Sequence, residues 1–276
     1  MNTENSSQNS TPRPPEQSSS LSDQAHQDRA LFDRIAEQYC RKDLLPASRA
    51  ARRQRLFQTL SAVPLPTSAT VLEVGCGAGF SAEYLQTRIG GYWGVDYSEK
   101  LIQYARAHHT GSHIQFAAVP IQEFQPGQTF DLIFAIGLLH HLDDLDATLA
   151  SLLPLLKPGG WFVANEPQPA NPLISFARRI RKRIDANYSS DQKELTAGEL
   201  RDACVRHGLN SVRVLPQGFF ATPFAEVPLS PQWLTTPCAH LACLADRTLE
   251  RLPGWLLQRL SWNLILAGQK PEYTDD

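Results

Sequence analysis

The run Val71-Leu72-Glu73-Val74-Gly75-Cys76-Gly77-Ala78-Gly79-Phe80 constrains the fold more than any other part of the chain. Its first four residues, apolar but for one carboxylate, read as a buried strand. Three alternating glycines then allow a sharp turn into a helix. Such a turn lets the backbone approach a ligand at a distance that a Cβ would forbid, as happens at the strand ends of open α/β sheets. Taken alone, the glycines describe only a tight strand-to-helix connection. The next strand adds to them: Gly94-Val95-Asp96-Tyr97 ends a second apolar run with a carboxylate 17 residues beyond Gly79. A carboxylate at that place can accept hydrogen bonds from both hydroxyls of a ribose. The glycine spacing is Gly-x-Gly-x-Gly, and Glu73 would repel a pyrophosphate while suiting the ammonium end of a methionine moiety.

Around this run the pattern repeats. Short apolar segments at Thr70 to Val74, Tyr92 to Val95, His113 to Ala117, Phe130 to Ile136 and Trp161 to Ala164 alternate with helical stretches, which predicts βαβ units and a parallel sheet covered on both faces. Lys157-Pro158-Gly159-Gly160 reads as a helix stop before the fifth strand. Further on, a helix is expected near Ala197 to His207, a strand near Ser211 to Leu215, two apolar helices around Pro253-Gly254 and a last strand near Trp262 to Ala267. Residues 1–28, rich in Ser, Gln, Asn, Thr and Pro, read as a disordered tail. One domain is expected over 29–270, with helices over 29–62 and order beginning near Ala30, and a short tail over 271–276. The segment 167–195, with its prolines and the basic run Arg178, Arg179, Arg181, Lys182, Arg183, reads as a cap inserted over the site. Its cations face an apolar side of Leu173, Phe176, Ile180 and Ile184, which suits a solvated face, an anionic substrate or acidic lipid head groups.

A hydrophobic content of 42% supports a sizeable core, and Lys+Arg 26 against Asp+Glu 28 gives a net charge of −2, so the chain offers no general electrostatic case for a nucleic-acid partner. Cys40, Cys76, Cys204, Cys238 and Cys243 lack the paired spacing of structural zinc sites and read as reduced thiols. Cys238, His240 and Cys243 are taken as helix packing, and no metal is assigned. With no signal-like start and no apolar run long enough to cross a bilayer, the chain is expected to be cytoplasmic. Peripheral membrane contact and the oligomeric state stay open.

These motifs resemble those of the class I S-adenosylmethionine-dependent methyltransferases over about Ala30 to Lys270. Phe130-Asp131-Leu132-Ile133-Phe134-Ala135-Ile136-Gly137-Leu138-Leu139-His140-His141-Leu142 resembles the fourth-strand motif of the branch that methylates small molecules. Leu155-Leu156-Lys157-Pro158-Gly159-Gly160 resembles the turn before that family's fifth strand. The resemblance implies a doubly wound seven-stranded sheet of order 3-2-1-4-5-7-6 with the last strand antiparallel. It implies S-adenosylmethionine as cofactor, S-adenosylhomocysteine as product and a small-molecule acceptor, apolar or anionic. Phe32-Asp33-Arg34-Ile35-Ala36-Glu37-Gln38-Tyr39 resembles the segment that closes over the cofactor, so Tyr39 joins Glu73, Gly75, Cys76, Gly77, Gly79, Asp96, Tyr97 and Ile136 as cofactor contacts. Many relatives hold the adenine with an Asp after the third strand. Pro120 stands there in this chain, which leaves the adenine to Ile121 and Gln122. Of His140 and His141, the second is taken as the general base for a hydroxyl, amine or acidic carbon. Two rival functions remain, a catalytically silent binding module of the same fold and a nicotinamide-dependent oxidoreductase, the latter disfavoured by the glycine spacing and Glu73. The fourth strand ends in Ala135-Ile136-Gly137-Leu138, without the Asn/Asp-Pro-Pro-aromatic motif of nucleic-acid methylation.

Overall fold

The computed structural model describes residues 23–171, 174–175, 195–253 and 257–272. Seven strands form one sheet: β1 (Thr70–Val74), β2 (Gly91–Asp96), β3 (Ile114–Ala118), β4 (Phe130–Ile136), β5 (Leu156–Pro167), β6 (Asn210–Gln217) and β7 (Asn263–Gln269). Their order is β3-β2-β1-β4-β5-β7-β6. The first five run parallel, while β7 is antiparallel to both β5 and β6. This is the sheet order that the resemblance implies.

Strands covered on both faces must be apolar on both, and the period-2 alternation divides their side chains between two layers. On one face Leu72, Val74, Ile133, Ala135, Phe162, Ala164 and Leu266 pack in a single cluster. Val71, Leu132, Phe134, Val163, Ile265 and Ala267 fill the other. The helices over these layers are α1 (Asp23–Leu44), α2 (Pro46–Leu60), α3 (Phe80–Leu85), α4 (Glu99–His108), α5 (Leu145–Leu152), α6 (Ala197–Arg206), α7 (Thr222–Glu226) and α8 (Gln232–Leu249). Local signals fix several of their starts. Pro46 opens α2, the Ser98 side chain accepts from Leu101 N at the head of α4, and Thr196 with Glu199 makes a capping box for α6.

Three expectations need correction. Helix α1 begins at Asp23, ahead of Ala30 where the apolar spacing starts. Lys157 to Gly160 lie inside β5: Leu156 already pairs with Phe130, and the Gly159 and Lys270 backbones bond to each other's segments. The helix had ended earlier, at Leu152, in a short 3₁₀ turn over Leu153–Leu155 that contains Pro154. Of the Cys238, His240 and Cys243 group, only Cys243 is buried. The basic run of the expected cap, 178–183, lies outside the described residues, as do 1–22 and 273–276.

Candidate cofactor and acceptor site

Because β1 and β2 are neighbours and parallel, their C-terminal ends bring Glu73 and Asp96 to the same edge of the sheet, on either side of the glycine loop. Gly75 N and Cys76 N both donate to Val95 O, at 2.8 and 3.1 Å, which ties the loop to β2. Asp96 is buried. Its Oδ2 accepts from Gly77 N at 2.9 Å and its Oδ1 from Ser98 N at 2.9 Å. Burial outweighs those bonds and pushes its carboxyl up to about 6. Glu73, also buried, accepts from Ser81 Oγ at 2.8 Å and from the Tyr92 hydroxyl, and burial pushes it up to about 7.

The three loop glycines all have positive φ, but they do different work. A Cβ on Gly79 would come within 2.7 Å of the Phe116 ring, so its bareness serves the packing of α3 against the sheet. A Cβ on Gly75 would meet the Leu138 side chain at 2.8 Å. Only Gly77 of the three has ordinary van der Waals room, facing Tyr39 at 3.5 Å. The Cys76 side chain turns beneath the loop, close to Gly94, and burial raises its thiol well above the usual range. It can offer a ligand its backbone but no reactive sulfur.

Helices α1 and α2 roof this edge. Tyr39, Glu73, Gly75, Cys76 and Ile136 line one cleft, together with Asp43, Arg49, Arg52 and Arg55, enclosing about 80 Å³. The cleft is open on one side, with α1 as its roof. Each arginine has an internal partner: Arg49 with Glu83, Arg52 with Asp43, and Arg55 with Glu226 at 2.8 Å. Burial alone would raise Glu226, but Lys42, Arg55 and Arg52 hold its carboxyl far below the usual carboxylate range. The Arg52 guanidinium also lies 5.2 Å from the Tyr39 ring centroid, fixing that ring over the loop. Further along α1, Asp33 accepts from Ser98 Oγ at 2.6 Å, and Phe32 packs against Tyr39, Tyr97 and His141.

After β4, both histidines find carboxylates. His140 Nδ1 lies 2.7 Å from Glu166 Oε2, and Glu166, fully buried at the end of β5, also accepts from Leu138 N and Leu139 N at 2.9 and 2.8 Å. His141 Nδ1 lies 3.3 Å from Asp28 Oδ2 on α1, with its ring 4.3 Å from that of His140. The adenine candidates lie apart from the cleft lining. Ile121 is buried in the core layer at the 3₁₀ turn after β3, and Gln122 is exposed, its Nε2 donating to Thr148 Oγ1 at 3.3 Å. Sequence reasoning did not single out Asp28, Asp33, Glu166 or the cleft-facing arginines. Glu166 carried a readable signal, an acidic residue ending an apolar strand, the same one that marks Asp96.

The buried carboxylates provide a test of fit for a nucleoside with a cationic tail. Among the described residues no cation is paired with Glu73 or Asp96, yet each carboxylate offers about four acceptor sites and uses two on the bonds named above. The Tyr97 backbone also bonds to Asp96, which still leaves that carboxylate able to take a ribose hydroxyl, and Glu73 an ammonium group. The description "Methyltransferase domain" matches residues 72–164, which hold this whole edge. The sheet order around it is that of class I S-adenosylmethionine-dependent methyltransferases.

A "Ubiquinone biosynthesis O-methyltransferase" of Bordetella avium is 34% identical over 96 residues, 33% of this chain and 39% of that protein. One of Bradyrhizobium sp. (strain ORS 278) is 36% identical over 98 residues, 34% of this chain and 38% of that protein. The chain thus spans about two fifths of the length of these curated relatives. Among solved structures, a methyltransferase of Thermotoga maritima superposes with a TM-score of 0.59 at 18% identity, covering 87% of this chain and 99% of that one. Magnesium protoporphyrin IX methyltransferase of Synechocystis PCC 6803, solved with S-adenosylhomocysteine, gives 0.57 at 12%, covering 90% and 100%. At these identities the structures share the fold.

Proposed function

We propose that this chain is an enzyme that transfers a methyl group from S-adenosylmethionine to a hydroxyl of a small, apolar or anionic acceptor. The observation that carries the reading is the pair of buried carboxylates without cations, Glu73 and Asp96, on either side of the glycine loop. Glu73 would take the ammonium of the methionine end, the loop backbone from Gly75 to Gly79 its carboxylate, and Asp96 the ribose hydroxyls. Tyr39, Tyr97 and Ile136 would enclose the sulfonium region. Ile121 and Gln122, in the turn after β3, would meet the adenine end. The O-methyltransferase relatives favour oxygen as the acceptor atom.

The cofactor supplies an electrophilic methyl on a sulfonium, and the protein's task is to hold the nucleophile in line with it. As the new O–C bond forms, the C–S bond breaks and sulfur keeps its electron pair. The acceptor's proton passes to a base. His141 is the proposed base, oriented by Asp28, while Glu166 anchors His140 and the backbone of the same turn. Because Asp28 sits on α1, closing the roof would also set the base in place. The cap over 167–195 would select the acceptor, and the protein would work in the cytoplasm, with acidic lipid contact through the cap's basic run.

Titration calorimetry with S-adenosylmethionine and S-adenosylhomocysteine, followed by a screen of phenols, quinols, lipid precursors and small acids scored by S-adenosylhomocysteine release, tests this. Binding with turnover supports it, no binding of either cofactor form refutes it, and binding without turnover of any acceptor favours the silent binding module.

A further inference from the structure

The arginines of helix α2 are not all treated alike. Arg49, Arg52 and Arg55 face the cofactor cleft, and each is matched by a carboxylate of the chain. Arg53, one turn on from Arg49 and like it 6.0 Å from the centroid of the Tyr84 ring, instead lines a groove between α2 and α8 that encloses about 480 Å³. Arg88, Arg247 and His240 line it too, and no acidic residue does. Among the described residues no carboxylate lies within ion-pair distance of Arg53, Arg88 or Arg247. The Arg88 and Arg53 guanidiniums sit 4.8 and 5.4 Å from the centroid of the same Phe57 ring. Arg247 is fixed on the other wall, its Nε donating to Gln54 Oε1 at 3.0 Å.

Two guanidiniums gathered over one ring repel each other, and a third cation across the groove adds to the cost. On the cleft side the same residue type is neutralised within the chain. On this side Arg53, Arg88 and Arg247 have no ion-pair partner among the described residues, with Glu250 acting on Arg247 only from beyond ion-pair distance, so an anion from outside would relieve their repulsion. We propose that the groove between α2 and α8 binds a phosphate group. A tetrahedral dianion carries more charge and more acceptor oxygens than a carboxylate, which suits it to charge-assisted hydrogen bonds from the Arg53 and Arg88 pair with Arg247 on the facing wall. The volume leaves room for the body that carries the phosphate. Phe57 and Cys243 give that body an apolar wall, and Leu241 and Leu244, 68% and 60% exposed, continue it along the outer face of α8. Phosphate on such a body reaches the groove either as a lipid head group or as a free phosphorylated metabolite. The site is separate from the cofactor edge and does not rest on the methyl-transfer reading.

The test uses the full chain and two probes, inorganic phosphate by titration calorimetry and cosedimentation with phosphatidylcholine vesicles with or without phosphatidic acid. Saturable binding that weakens with salt is expected for at least one probe. Vesicle binding that requires phosphatidic acid, without binding of free phosphate, identifies a lipid head group, and the reverse identifies a soluble ligand. The double variant Arg53→Gln/Arg88→Gln should lose at least about tenfold in affinity, and Arg247→Gln on the opposite wall should lose a similar amount, with circular dichroism unchanged. The inference is overturned if neither probe binds, if vesicles bind equally without phosphatidic acid and free phosphate does not bind, or if all three arginine substitutions leave binding intact.

Discussion

The floor and the roof of the cofactor edge are built on different principles. In the floor, β1, β2 and the glycine loop are held by backbone hydrogen bonds inside a sheet, and Glu73 and Asp96 are fixed by backbone N–H groups and buried hydroxyls. The roof, α1, is held by side chains: Asp33 on Ser98, Asp28 on His141, Phe32 among three rings, and a small cluster of Ala36, Cys40, Ala78 and Leu101. A ladder opens only when the sheet does, whereas a few side-chain contacts can break singly. Under the proposed function, the floor would recognise the cofactor and the roof would admit it and align the base.

The sharpest way to break that division is at His141, whose ring hangs between the two. Replacing the proposed base, His141→Ala, should lower kcat by about 10²- to 10⁴-fold while cofactor affinity stays within about threefold. Asp28→Asn should reproduce part of the kcat loss with the same unchanged affinity. Steady-state kinetics beside calorimetry separates the two quantities, and a fall in affinity equal to the fall in kcat would erase the distinction between floor and roof.

A second prediction concerns the charge of the floor. Glu73, with its carboxyl up to about 7, and Asp96, up to about 6, are both raised by burial. Their neutral forms favour the folded, ligand-free protein. Stability from this source is therefore fully present below the ordinary carboxylate range, near pH 4, and is lost as pH rises through about 6 to 7. Cofactor affinity should run the opposite way, because the charged form of Glu73 is the one that meets an ammonium. Glu73→Gln should raise Tm at pH 8 by several degrees, up to about 3 kcal/mol, and weaken the cofactor about tenfold or more. Thermal scans and calorimetry at pH 6 and pH 8 check both signs.

The smallest effect belongs to the roof alone. Asp33→Ala removes the hydrogen bond from Ser98 and should cost about 1 kcal/mol, seen as faster amide exchange along α1 with β1 and β4 unchanged, and reversed by S-adenosylhomocysteine. Equal exchange in α1 and β1 would show that the roof is as fixed as the floor.

The floor was legible in the sequence because its logic is local. Short apolar runs mark β1, β2 and β4, and a carboxylate ending a strand beside glycines carries its chemistry on its face. The strand order was not legible from periodicity and came from the resemblance. The roof was hidden for the opposite reason: Asp28 and Asp33 lie in a polar stretch of α1, and their partners, His141 and Ser98, are far along the chain. Gly160 misled in a similar way. Read locally, Pro158-Gly159-Gly160 stops a helix, yet a Cβ on Gly160 would strike the Lys157 carbonyl oxygen at 2.8 Å and the Asp131 carbonyl oxygen at 3.2 Å, so the glycine serves a strand pressed against β4. Ile121, expected at the adenine, also packs its side chain into the core layer, a burial that its place in a polar turn does not announce.

Asp96 bears most directly on the account, since its carboxylate spans the loop and the second strand. Calorimetric titration of S-adenosylmethionine into the wild-type chain and Asp96→Ala should show affinity about ten- to a hundredfold weaker in the variant, from the loss of charge-assisted hydrogen bonds worth roughly 1.5–3 kcal/mol. Equal affinity in two equally folded proteins would contradict it.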